Sequence, residues 1–144
     1  MARIRSLLLA VFVASAAIAA PVEQRQIGSL TCNIDRFKIV AGLVSTGKAV
    51  GAIDTTDPDT ATAVAAAQAG LKAAGDSIKN IALALVTGQP APADARTGVS
   101  QGLNDTRSAL DGITNTAVAD SVAAAQTKLQ AAIDDGNAVI SDCK

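Results

Sequence analysis

The chain of 144 residues has two cysteines, Cys32 and Cys143, which bracket almost all of its helical sequence. That placement restricts the fold more than any other feature. If successive helices run antiparallel, an even number returns both cysteines to one end, whereas an odd number leaves them a helix length apart. A disulfide needs a Cα separation near ~5.5–6 Å. Apolar periodicity divides the chain into four helical segments. The sequence therefore predicts an all-α fold, an antiparallel up-down four-helix bundle whose first and last helices are joined by Cys32–Cys143. In the chain-entropy account, closing so long a loop stabilises by roughly 4–5 kcal/mol. An intermolecular bridge and a pair of free thiols are the alternatives.

The first helix is expected over residues 32–53. Ile34, Phe37, Val40, Val44 and Val50 recur at helical spacing as its apolar row, with Arg36, Lys38 and Lys48 placed towards water. Gly42, Gly47 and Gly51 weaken it, by up to about 1 kcal/mol each relative to alanine, or let a neighbour approach closely. The second helix opens on Asp57-Pro58-Asp59: a capping acid, a proline at the first helical position and an acid at the positive helix end. It runs to about Thr87, where Gly88, Pro90 and Pro92 stop it. Val64, Leu71, Ile78 and Leu85 form one row of its seam, and Ala67, Ala74 and Ile81 the other. The third helix, residues 93–113, is carried by Val99, Leu103, Leu110 and Ile113 and interrupted by Asn104-Asp105-Thr106. The fourth, residues 118–142, has Val118, Ala125, Ala132 and Val139 in one row and Val122, Leu129, Gly136 and Cys143 in the other.

Part of the chain echoes itself. Val64-Ala65-Ala66-Ala67-Gln68 recurs as Val122-Ala123-Ala124-Ala125-Gln126, Leu71 matches Leu129, and Ala73-Ala74 matches Ala131-Ala132. Upstream, Ala52-Ile53-Asp54 resembles Ala109-Leu110-Asp111. Two related αα-hairpins, helices one and two then helices three and four, are one reading; chance likeness between alanine-rich helices is the other.

Before the helices, Arg3 and Arg5, the apolar run 7–13 and Ala17-Ile18-Ala19 have the order of a secretory signal peptide. Residues 1–19 are expected to be removed and the mature protein secreted, into a compartment that favours disulfides. The apolar run is too short for a membrane span. Residues 20–31 read as an extended leader, with Arg25 as a secondary processing position, and residues 32–144 as the bundle domain. Losing two arginines leaves ten basic and thirteen acidic residues. That balance excludes a strongly basic nucleic-acid footprint.

With no histidine in the chain there is no imidazole base, catalytic triad or histidine metal ligand. Disulfide-bonded cysteines supply neither a nucleophile nor a zinc site. Asp54, Asp57 and Asp59 lack calcium-loop spacing and are explained by helix capping. Asp134 and Asp135 are adjacent on a helix and diverge around it. No catalytic, cofactor or metal-binding residue is assigned, and a non-enzymatic protein is expected. Asn104-Asp105-Thr106 is the sole N-glycosylation sequon.

Signal peptide, an APVEQRQ leader, small aliphatic composition and the helix DTATAVAAAQAGLKAAGDSI together resemble the fungal hydrophobic surface-binding protein A and cell-wall galactomannoprotein family. The resemblance implies binding to hydrophobic surfaces or lipids outside the cell and transfers no functional residues. From the helices themselves, the candidate apolar faces are those of Val64, Leu71, Ile78, Leu85, Val122 and Leu129. They would adsorb to a hydrophobic surface or hold a small apolar, lipid-like ligand. A structural or protein-interaction component of a matrix, wall or secreted fluid is the competing expectation.

Overall fold

The computed structural model describes residues 30–143. The expected signal peptide, residues 20–29 of the leader and the processing position at Arg25 lie outside the described residues.

Four helices make up the described chain: α1 (Leu30–Gly51), α2 (Pro58–Val86), α3 (Ala93–Asp111) and α4 (Ala119–Asp142). A single 3₁₀ turn, Thr116–Val118, leads into α4. No strand occurs among the described residues. Helix α1 starts at Leu30, so the last two residues assigned to the leader belong to the helix.

Local chemistry sets the ends of the elements. Asp57 caps α2, its carboxylate accepting from the Thr60 backbone N–H at 2.8 Å and the Thr60 hydroxyl at 2.7 Å. At the other end Gly88 takes a positive φ of 74°. The Gly88 N–H then donates to the Leu85 carbonyl and that of Gln89 to Ala84, a Schellman closure. Asn115 repeats the capping role ahead of α4, its side-chain oxygen accepting from the Ala117 N–H.

Helix α2 packs along α3, and α1 along α4. The contacts of α1 with α2 and of α3 with α4 are shorter, and neither α1 with α3 nor α2 with α4 approaches closely. The cyclic order is therefore α1-α2-α3-α4, with α1 diagonal to α3. One core links the helices, centred on Val50, Ile53, Val64, Leu103, Leu110, Val122, Ala125 and Leu129. Cys32 and Cys143 are bonded, with Cα atoms 5.1 Å apart. The even helix count predicted from the cysteines is what the described residues form.

The two halves of the chain also match in their packing, in a longer register than the sequence echo upstream of α2. Gly42, Leu43, Thr46, Ala49, Val50 and Ile53 correspond to Gly102, Leu103, Thr106, Ala109, Leu110 and Ile113. Ala49-Val50, and not Ala52-Ile53, answers Ala109-Leu110. Three physical features fix this register. A Cβ at Gly42 would lie 3.0 Å from the Ala132 Cβ, and one at Gly102 would lie 3.0 Å from the Ala74 Cβ; Ala74 and Ala132 are themselves an echoed pair. The Thr46 hydroxyl donates to the Gly42 carbonyl at 2.8 Å, and the Thr106 hydroxyl to the Gly102 carbonyl at 2.8 Å. Finally, Val50 and Leu110 are both completely buried.

Each first helix packs on the second helix of the other repeat. The two hairpins read from the sequence are thus interlocked rather than separate, like a symmetric dimer whose subunits exchange helices within one chain. Both first helices run one way and both second helices the other, so the pseudo-two-fold axis lies along the bundle.

The apolar row expected to bury α1 is contradicted. Ile34, Phe37, Val40 and Val44 are exposed, and only Val50 of that row is buried. The face against α4 carries Cys32, Asp35, Ile39, Gly42 and Thr46 instead. The reason is steric: α1 approaches α4 through small residues, and the large side chains are turned outward.

Candidate functional site

The faces named from the sequence mostly close the bundle. Val64, Val122 and Leu129 are buried in the core. Leu71 and Ile78 are half-buried and pack against it, and Leu85 is half-buried towards the end of α2. None of these six is fully exposed.

The exposed apolar surface lies on α1. Phe37, the single aromatic residue outside the expected signal peptide, is 74% exposed, and Val44 is 56% exposed. At ~100° per residue, Phe37, Val44 and Lys48 sit about half a turn around from Ile39 and Val50, which face the core. The stripe therefore points away from the bundle. Phe37, Val40, Ala41, Val44, Ser45 and Lys48 line a shallow, open depression of about 410 Å³, all from this one helix. Lys48 is its only charged side chain. Further apolar side chains are exposed towards the disulfide end, Leu83 and Val86 on α2 and Ile140 on α4.

Helix α3 supplies an internal control. In the repeat register Ile34 corresponds to Asp94, Phe37 to Thr97, Val40 to Ser100, Ala41 to Gln101 and Val44 to Asn104. All ten residues are exposed. The second repeat thus keeps the same outer positions wet with polar side chains, so the fold does not require apolar residues there. Charge and small-aliphatic composition gave no hint of this asymmetry. It could have been read from the sequence only once Gly42 was aligned with Gly102.

The Asp54 carboxylate accepts from the Thr56 hydroxyl and N–H, and that of Asp57 from Thr60; both are held below the ordinary aspartate value by these hydrogen bonds. Asp76 is lowered by hydrogen bonds from Lys72 and Lys79 on the same helix. The buried Asp35 accepts from Lys38 at 2.9 Å, which raises the lysine pKa. Among the described residues no three acids or cysteines cluster as a metal site. Asp134 is exposed and bonded to Gln130. Asn104 is exposed on α3, while Thr106 of its sequon is buried, sharing its hydroxyl hydrogen between the Gly102 and Ala67 carbonyls.

Compared with known proteins, the chain matches no family model, no curated protein and no solved structure. No described helix is long and apolar enough to cross a membrane.

Proposed function

We propose that this is a secreted, non-catalytic protein that binds apolar material outside the cell through the outer face of α1. The observation that carries the reading is the exposed row Ile34, Phe37, Val40 and Val44, set against polar residues at the matching positions of α3. An apolar patch on a stable, disulfide-closed bundle is costly in water unless something covers it. From the fractional exposures, the row offers on the order of 400 Å² of apolar surface, an upper bound near ~10 kcal/mol if fully covered. The resemblance to hydrophobic surface-binding proteins points the same way, as does the disulfide, which suits an oxidising compartment.

Two binding assays on the purified protein test the reading. Polystyrene or wax particles should deplete it from solution, whereas a soluble fatty-acid probe should show no saturable, stoichiometric uptake, because the α1 depression is open. Stoichiometric uptake with no adsorption would make the protein a carrier. Failure of both would leave protein interaction as the use of the face.

A further inference from the structure

We propose that Asn104 is glycosylated during folding and at no later time: its amide accepts a glycan before α3 closes on α2, and closure shuts the site. The inference rests on the secretion expected of the chain and on nothing in the α1 face.

An N-linked glycan is attached to Asn-X-Ser/Thr, so the transferase must hold the asparagine amide and the threonine hydroxyl together. In an extended chain, residues i and i+2 lie on the same side. Asn104 and Thr106 then face one enzyme. In a helix they point ~200° apart. In α3 Asn104 is exposed, while Thr106 is completely buried. The Thr106 hydroxyl has one hydrogen to donate, and it lies 2.8 Å from the Gly102 carbonyl and 3.3 Å from that of Ala67. The crossing around it is full: a Cβ at Gly70 would lie 2.6 Å from the Thr106 Oγ1. The same hydroxyl therefore serves either the transferase or the helix crossing, never both.

The folded protein still has room for the product. Asn104 sits about half a turn around α3 from the buried Gly102, Thr106 and Leu110. Its neighbours on that face, Thr97, Ser100, Gln101 and Ser108, are polar and exposed. A glycan there stands in water and leaves the crossing intact. The donor is an oligosaccharide carried on a lipid diphosphate. The Asn104 amide nitrogen bonds to the anomeric carbon of the first sugar as the bond from that carbon to the diphosphate oxygen breaks. The lipid diphosphate leaves with the electron pair, and the amide proton passes to a base of the transferase.

Closure competes with this step. Helix α2 precedes α3 in the chain and is available to pack as soon as Asn104 arrives, and local helical contacts form in roughly microseconds to milliseconds. The secreted protein is therefore a mixture of glycosylated and bare chains.

The test is to secrete the full chain, residues 1–144, from a eukaryotic cell and to measure its intact mass before and after peptide-N-glycosidase. Two species should appear, and the glycosidase should merge them and convert Asn104 of the heavier one to aspartate. Gly102→Ala, which crowds the crossing, should raise the glycosylated fraction several-fold. Full occupancy of the native chain, or occupancy unchanged in Gly102→Ala, overturns the competition. A second measurement needs no variant. The bare folded protein, incubated with microsomal membranes that supply transferase and donor, should gain no glycan, whereas a peptide of residues 101–109 should gain one. Modification of the folded protein, or failure of the peptide, overturns the proposal. A secreted chain with no glycan overturns this site and leaves the α1 reading standing; retention of the chain inside the cell overturns secretion itself.

Discussion

In the α2·α3 pair the helices meet almost backbone to backbone. A Cβ at Gly102 would lie 2.6 Å from the Gly70 carbonyl oxygen and 2.7 Å from the Ala74 nitrogen, and one at Gly70 would lie 2.7 Å from the Gly102 carbonyl oxygen. In the α1·α4 pair the matching glycine, Gly42, is less crowded, a Cβ there lying 3.0 Å from the Ala132 Cβ and 3.1 Å from its Cα, and the position matching Gly70 is Lys128, which is exposed. A lysine has no place in so close a crossing. The α1·α4 pair is instead closed at its far end by Cys32–Cys143. The same plan is thus held together in two ways, by close backbone contact in one pair and by a covalent bond in the other.

Mutations should separate the two. Replacing both cysteines by serine should cost the most, roughly 4–5 kcal/mol of a total that for such domains is about 5–15 kcal/mol. Hydrogen exchange on the variant should show the ends of α1 and α4 opening while α2 and α3 remain protected; uniform loss would mean that the pairs are not distinct units. Next comes Gly102→Ala, expected to lower stability in urea by about 1–3 kcal/mol, because the added methyl meets backbone that cannot yield without separating the helices. Its counterpart Gly42→Ala would place a methyl 3.0 Å from the Ala132 Cβ and 3.1 Å from the Ala132 Cα, looser than the contacts at Gly102, and the helix-propensity gain of up to about 1 kcal/mol offsets the crowding. It should therefore be close to neutral. Gly47→Ala touches nothing within 4 Å and should be stabilising by about 0.5–1 kcal/mol.

The smallest effect is one of pH. Asp57 is depressed below its ordinary value of 3.8 by bonds from Thr60. A depressed folded-state pKa means that its stabilisation is complete above the unfolded value and is lost as pH falls through the folded one. Asp57→Asn keeps an acceptor at the cap, so the fall in Tm on acidification below that value should be shallower in the variant than in the native protein.

Much of the architecture was legible because it depends on local or covalent signals. Asp57-Pro58-Asp59 starts α2, Gly88 ends it, and the paired rows of α4 bury Val122, Ala125, Leu129 and Ala132 as their spacing implied. Once paired, the cysteines require an even number of antiparallel helices. The inward face of α1 was not legible, because large apolar side chains ordinarily mark the core. The contact with α4 uses Gly42 and Thr46, residues that hydrophobic periodicity ignores. The same blindness hid the crossing of α2 and α3, where Asn104-Asp105-Thr106 reads as an interruption although Thr106 ties α3 to the Ala67 carbonyl. Small residues that allow close approach carry no hydrophobic signal of their own, so periodicity does not reveal the surplus of large ones on the outer face of α1.

That surplus is the central claim, and adsorption measures it most directly. The variant F37T/V40S/V44N gives α1 the outer residues of α3 and leaves the α1·α4 seam untouched. Helicity and urea stability should match the native protein, whereas depletion by polystyrene particles should be almost lost. Native-like adsorption by the folded variant would contradict the claim and place the adhesive surface elsewhere on the molecule.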